Sequence, residues 1–239
     1  MTFADDPSDR RWDSDFLTVT ELYKENTLGR IVDFETHFDR HKPEVPPTGG
    51  WKTKALPGGG AIYDLGTHLI DQVVVLFGMP SRITGFVGSH RANNPGGYED
   101  SCIVLMHYNG MVATIKATVV SPEVEQLRYW IRGEKGSFMK YHMDVQEDHL
   151  KAGKKPGDTE FGIEKGKSHG FLTTIKDGQP SREVRQLNEP LTYSTFYSGF
   201  AKALAGRGEV PVKPESASAV IRLIELARRS SEQERTLQV

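Results

Sequence analysis

Cysteine is all but missing from this 239-residue chain: Cys102 stands alone. One thiol excludes an intramolecular disulfide and any metal site built from several cysteines. Such sparing use suits a reducing compartment, so a cytoplasmic setting is expected. No apolar run approaches the roughly 20 residues of a membrane-spanning helix. The opening MTFADDPSDRRW is polar and acidic, unlike a secretory leader. Charge of one sign is not in excess either. A formal net charge of −2 and a pI near 6.5 leave no electrostatic footprint for nucleic acid or an anionic membrane, and neither is expected as a partner. No G-x-G-x-x-G follows a strand pattern, and there is no P-loop and no H-E-x-x-H. The histidines outside the segment discussed below show no metal-ligand spacing, so no metal is expected; His37 and His41, on either side of Arg40, read as surface residues rather than ligands, with a cleft position as the alternative.

What remains is an ordinary globular composition, 26% charged and 9% aromatic, long enough for one large domain or two small ones. Ser14 to Asn26 has helical spacing in Phe16, Val19 and Tyr23, with Gly29 beyond its end. RIVDFETHF alternates like a strand. A Pro- and Gly-rich loop leads to a helix from about Ala61 to Phe77. Strand patterns then follow at Arg82 to Gly88, Ser101 to Tyr108, Met111 to Val120, Gln126 to Arg132 and Ser137 to Tyr141. Asn109-Gly110 between two of them calls for a hairpin with a type I′ turn. On the strand that follows, Met111, Ala113, Ile115 and Ala117 alternate with Thr114, Lys116 and Thr118, so one sheet face is expected to carry helices and the other to stay open. The stretch from Asp144 to Ser168 reads as a short helix and loop, and Thr192 to Ala205 and Glu215 to Arg229 as two closing helices. The expected fold class is α+β, with a large, mostly antiparallel sheet and helices packed on one face.

The most unusual stretch is PGGGAIYDLGTHLIDQ, Pro57 to Gln72. On a helical wheel Ile62, Leu65, Leu69, Val73 and Leu76 form an apolar stripe. Asp64, His68 and Asp71 fall opposite it, which predicts that all three face solvent or a cleft. Spacing alone fits a plain amphipathic helix with a wet face. It also fits a general acid/base His68 oriented by Asp64 one turn earlier. The triple glycine would let backbone come close to a ligand. Tyr63, Arg40 and Trp51 are candidates to line the same pocket and bind substrate.

GGGAIYDLGTHLIDQVVVLFG resembles the signature of the Gfo/Idh/MocA family of sugar and polyol oxidoreductases. So do RRWDSDFLTVTELYKENTLGRIVDFETHFDR, RYWIRGEKGSFMKYHMDVQEDHLKAGKKPGD and PVKPESASAVIRLIELARRS. The likeness is closest to the branch containing the NADP-dependent scyllo-inositol dehydrogenases. It implies a single domain over residues 1–239 of the family's C-terminal type, with 1–9 a divergent tail. The resemblance further implies that Asp64 and His68 line the substrate site, that His68 is the acid/base partner of the substrate hydroxyl, and that Asp71 is structural. Family members carry a Rossmann domain ahead of this region, with the glycine-rich phosphate cradle and a catalytic lysine; this sequence shows neither.

Three readings follow. In the first, the chain is a substrate-binding and oligomerisation domain, unable to transfer hydride alone. It then has no cofactor of its own (NADP or NAD serves the full-length family), a small-molecule substrate, and an open sheet face for homo-oligomerisation. In the second it is a stand-alone, cofactor-independent isomerase, dehydratase, lyase or cyclase using Asp64 and His68. In the third it binds a ligand without catalysis.

Overall fold

The structure is a computed structural model, and the description covers residues 9–45, 55–165 and 169–239. A 3-10 turn at Asp9–Trp12 leads into α1 (Ser14–Lys24) and β1 (Ile31–Asp39). A π-helical turn, Ile62–Gly66, runs directly into α2 (Thr67–Phe77). Strands β2 (Arg82–Gly88), β3 (Ser101–Tyr108), β4 (Met111–Thr118), β5 (Leu127–Gly133) and β6 (Gly136–Tyr141) follow. After α3 (Gln146–Lys151) come β7 (Gly170–Lys176), β8 (Gln179–Arg185), α4 (Ser194–Leu204), α5 (Pro214–Glu232) and the short β9 (Leu237–Gln238).

The strands form one sheet in the order β8-β7-β6-β5-β1-β4-β3-β2-β9. Every pairing is antiparallel except β1 with β4, which run parallel at the centre. The α+β class and mostly antiparallel sheet expected from the sequence are what the structure has. β4 alternates as its sequence does: Met111, Ala113, Ile115 and Ala117 are buried, while Val112, Thr114, Lys116 and Thr118 stay half-exposed. The buried row joins Phe34, Leu69, Val73, Met106 and Leu223 in a single core. Each large apolar side chain enclosed there contributes roughly 1.5–3 kcal/mol over its exposed state. Gly85 lets α5 lie against β2, because a Cβ there would meet the Ala227 carbonyl oxygen at 2.0 Å.

The β3–β4 hairpin forms at Asn109-Gly110, with Tyr108 opposite Met111. It is not the type I′ turn anticipated: only Gly110 has positive φ, at 75°. The positive-φ pair of a I′ turn occurs instead at Asp177 (51°) and Gly178 (75°), between β7 and β8. That hairpin went unread in the sequence although Asp-Gly is its usual signal.

Buried polar groups tie the N-terminal segment to the sheet. Arg128 on β5 is fully enclosed; its Nε donates to Asp15 at 2.8 Å, and its other nitrogens to Thr36, the His37 carbonyl and Gln72. Gln72 also donates to the Arg10 carbonyl at 2.8 Å and accepts from the Tyr129 hydroxyl. Lys140 pairs with Glu164 at 2.9 Å, and the Ser14 hydroxyl reaches both Glu164 and Asp144. Burial, with Asp15 and Asp144 adding to it, outweighs the pull of Lys140 and pushes the Glu164 carboxyl up to about 8.

Candidate functional site

The helix that carries the candidate residues starts abnormally. Its first turn is π, a geometry in which one extra residue bulges from the helix and which recurs at functional sites. Gly60, just before it, has φ +92°, and a Cβ there would meet the Glu99 side chain at 2.6 Å. The glycine therefore serves a close approach of Glu99, whose carbonyl also accepts from the Ala61 amide at 2.8 Å.

Asp64 and His68 are both half-buried, one turn apart, as the wheel predicts. Asp71 is not on a wet face: it is 5% exposed, and Arg11 grips its carboxylate with Nε at 2.7 Å and Nη2 at 2.5 Å. Arg11 also donates to Ser216 of α5 at 2.8 Å, so Asp71 joins the N-terminal segment, α2 and α5. Ile70 and Gln72 are fully enclosed too. The wheel failed here because α2 is covered on more than one side, by the sheet, by α5 and by the N-terminal segment.

The His68 ring faces Phe38 at the end of β1, with ring centroids 6.0 Å apart. Two guanidinium groups lie over the same Phe38 ring, Arg40 at 4.6 Å and Arg10 at 4.8 Å. Such contacts contribute about 0.5–2 kcal/mol depending on desolvation. Both arginines also approach Glu147 of α3, Arg10 at 2.5 Å and Arg40 at 3.9 Å, and Lys151 binds the same carboxylate at 2.5 Å. Burial pushes Glu147 up, but Arg10, Lys151 and Arg40 outweigh it and hold its carboxyl down at about 2. Lys42 completes the cluster. Arg40 beside it, with partial burial and Lys151, holds its ammonium below the ordinary lysine range, while Glu147 and Asp64 pull the other way.

The structure thus brings Asp64, His68 and Arg40 to one place. Tyr63 turns elsewhere: its hydroxyl donates to Glu225 of α5, and Arg228 lies over its ring at 5.5 Å. Trp51 lies outside the described residues. His37, read as a surface residue, is 8% exposed on the open sheet face. Its Nε2 meets Glu35 and its Nδ1 meets Asp39, both at 2.8 Å, and Lys116 binds the same Glu35 at 2.6 Å. Phe38, Arg10, Lys42 and Glu147 were not picked out in the sequence. Phe38 could have been, since it lies two residues before Arg40 and residues two apart on a strand share a face; Glu147, far along the chain, gave no signal. Among the described residues no group of His, Cys, Asp and Glu is placed to hold a metal ion.

A mostly antiparallel sheet carrying helices on one face, with half-buried Asp64 and His68 at a π turn, defines an α+β domain. Residues 21–239 match the Gfo/Idh/MocA oxidoreductase family, C-terminal alpha/beta domain, and the chain belongs to that family. It is 36% identical over 229 residues to scyllo-inositol 2-dehydrogenase (NADP(+)) IolW of Bacillus subtilis, covering 95% of this chain and 62% of that protein. It is equally similar, at 36%, to the Escherichia coli oxidoreductase YdgJ, covering 95% and 64%. The solved structure of the oxidoreductase yvaA from Bacillus subtilis superposes with a TM-score of 0.90 at 35% identity, over 98% of this chain and 65% of that one. An oxidoreductase of Yersinia pestis gives 0.87 at 35%, over 97% and 63%. The chain therefore spans somewhat under two thirds of the length of these relatives.

Proposed function

We propose that this chain is a substrate-binding domain for a sugar or polyol, of the kind used by NAD(P)-dependent oxidoreductases, and that hydride transfer needs a dinucleotide-binding domain beyond these residues. The observation that carries the reading is the half-buried Asp64–His68 pair against Phe38, beside a cationic cluster, in a chain that belongs to an oxidoreductase family. A relative named as an inositol dehydrogenase supports a polyol as the substrate class. His68 exchanges the proton of the reacting hydroxyl, because imidazole titrates near neutral pH without large perturbation. Asp64, one turn before it, positions the ring. A nicotinamide cofactor would accept or supply the hydride; this chain's part is to hold the polyol and move the proton.

The same reading gives the chain weak NAD(P) binding by itself, since no glycine-rich βα turn is present to cradle a pyrophosphate. Calorimetry tests it: a dissociation constant near 1 μM for NADP(H) on this chain alone, about −8 kcal/mol, overturns it. Turnover of a polyol with no NAD(P) present would move the chain to the cofactor-independent class.

The open sheet face serves self-association in this proposal. Phe86 is 61% exposed opposite half-buried Ile103, and Trp130, Met139 and Phe171 continue across three neighbouring strands, with the Glu35–His37–Asp39–Lys116 cluster between these two apolar bands. A two-fold pair would bury both bands at once. Sedimentation at micromolar concentration should give a dimer or larger, and Phe86→Asp with Trp130→Asp should return it to monomer. A wild-type monomer sinks the idea.

A further inference from the structure

At the end of β1, Arg40 and Lys42 lie together, and among the described residues neither has a carboxylate to itself. Glu147 is one carboxylate shared among Arg10, Lys151 and Arg40. The first two take it at 2.5 Å each, and Arg10 is further held by Asp13 at 3.3 Å. Arg40 is left at 3.9 Å, its guanidinium carbon 4.6 Å from the centre of the Phe38 ring. Among the described residues Lys42 has no ion-pair partner, and it sits close enough to Arg40 and Lys151 for their charges to disfavour its own. Two cations this close attract an anion between them, and at an exposed rim leaving that place empty costs little.

The backbone holds these two residues firmly. The Arg40 amide donates to the Thr118 carbonyl at 2.8 Å, and its carbonyl accepts from Ser121 at 2.9 Å. The Lys42 amide donates to Val119 at 2.7 Å, and Arg91 clamps the Lys42 carbonyl with Nη2 at 2.7 Å and Nε at 3.0 Å. The two cations are therefore presented on a pinned strand extension. Arg40 shares the Phe38 ring with His68, and Lys42 lies within electrostatic reach of Asp64.

The geometry points to a seat for an anionic group of the substrate, a carboxylate or a phosphate, held by Arg40 and Lys42 beside the hydroxyl that His68 handles. The planar guanidinium matches either anion through two parallel hydrogen bonds, and the lysine adds a mobile point charge. The substrate class narrows from a neutral polyol to a sugar acid or sugar phosphate. This inference rests on the reading of Asp64 and His68 as the sugar site.

Titration calorimetry on the full chain with D-glucose, D-gluconate and D-glucose 6-phosphate tests it. At least one anion should bind at least about tenfold more tightly than glucose. Gluconate as the tighter of the two names a carboxylate, the sugar phosphate a phosphate. The advantage should shrink between about 0.1 M and 1 M salt, where the screening length falls from about 10 Å to 3 Å. It should vanish in Arg40→Gln/Lys42→Gln and persist in Lys176→Gln, a remote lysine of β7. Equal binding of acid and neutral sugar, no binding of any probe, or an advantage that survives the double variant overturns the proposal. His68→Ala separates the two claims. If that variant binds glucose and both anions like wild type while the anion advantage depends on Arg40 and Lys42, the anion seat stands and the sugar-site reading of His68 falls.

Discussion

The charge cluster under α1 and the one at the end of β1 meet at Arg10, yet they are built on different terms. In the first, Arg128 with Asp15 and Lys140 with Glu164 are wholly enclosed, and Gln72, Thr36, Ser14 and Tyr129 add further hydrogen bonds. In the second, half-exposed Arg40 and exposed Lys151 compete with Arg10 for Glu147, and Lys42 stands exposed beside them. Taking an ion out of water costs several kcal/mol, so enclosed groups keep their charge only when paired, as Arg128 and Asp15 do, while Glu164 is pushed toward its neutral form. They then hold the N-terminal segment, β5 and α2 in one arrangement. Charges at a wet rim cost little to leave partly paired and add little stability, which keeps them available to a ligand. One cluster sets the shape of the domain; the other faces outward from it.

Removing one partner inside the enclosed cluster should show the contrast most strongly. Arg128→Met leaves Asp15 buried without its cation and should lower unfolding free energy by about 3–5 kcal/mol, read by urea denaturation. A loss below about 1 kcal/mol would mean that the cluster adds no more than a rim pair. His68→Ala should leave stability within about 1 kcal/mol, while turnover in the cofactor-complete enzyme falls by about 10² to 10⁴; full activity would put the acid/base group elsewhere. Arg11→Ala, which frees the nearly buried Asp71 carboxylate, should cost about 1–3 kcal/mol by the same denaturation assay.

The pH dependence sharpens the same division. The folded-state value of Glu164, about 8, lies above its ordinary 4.5. A carboxyl raised on folding stabilises through its protonated form. That contribution is complete below about pH 4.5 and is lost as pH rises toward 8, at up to about 1.4 kcal/mol per pH unit. Glu164→Gln should flatten that part of the stability profile; an unchanged slope assigns it to other groups. At the wet end, Arg30→Ala breaks an exposed pair with Glu134 and should cost under about 1 kcal/mol.

Much of the fold was legible before any coordinates, for reasons that lie in local pattern. β2 and β3 begin and end where alternation does, and α5 begins at Pro214 and carries Val220, Leu223, Ile224 and Ala227 inward as its spacing requires. β7 and β8 were missed because their residues, such as Lys176, Gln179, Arg182 and Glu183, stay largely exposed at the sheet edge, where alternation has no burial to enforce it. The parallel pairing of β1 with β4 was also out of reach. A strand's own pattern does not say which neighbour it takes.

The placing of Asp64 one turn before His68 was determined by the sequence itself, since four residues of helix separate them. The alternation that gives the central strands a buried face and an open one is determined the same way. Only the tertiary structure decided that Asp71 is gripped by Arg11, that Tyr63 turns to Glu225, that His37 sits between two carboxylates, and that Phe38, Arg40 and Glu147 gather beside His68. The reason is physical. Periodicity fixes neighbours within one element, where backbone geometry sets the spacing. Which charges meet across elements depends on how α2, α3, α5 and the sheet pack, and there burial and ion pairing, rather than spacing, choose the partner.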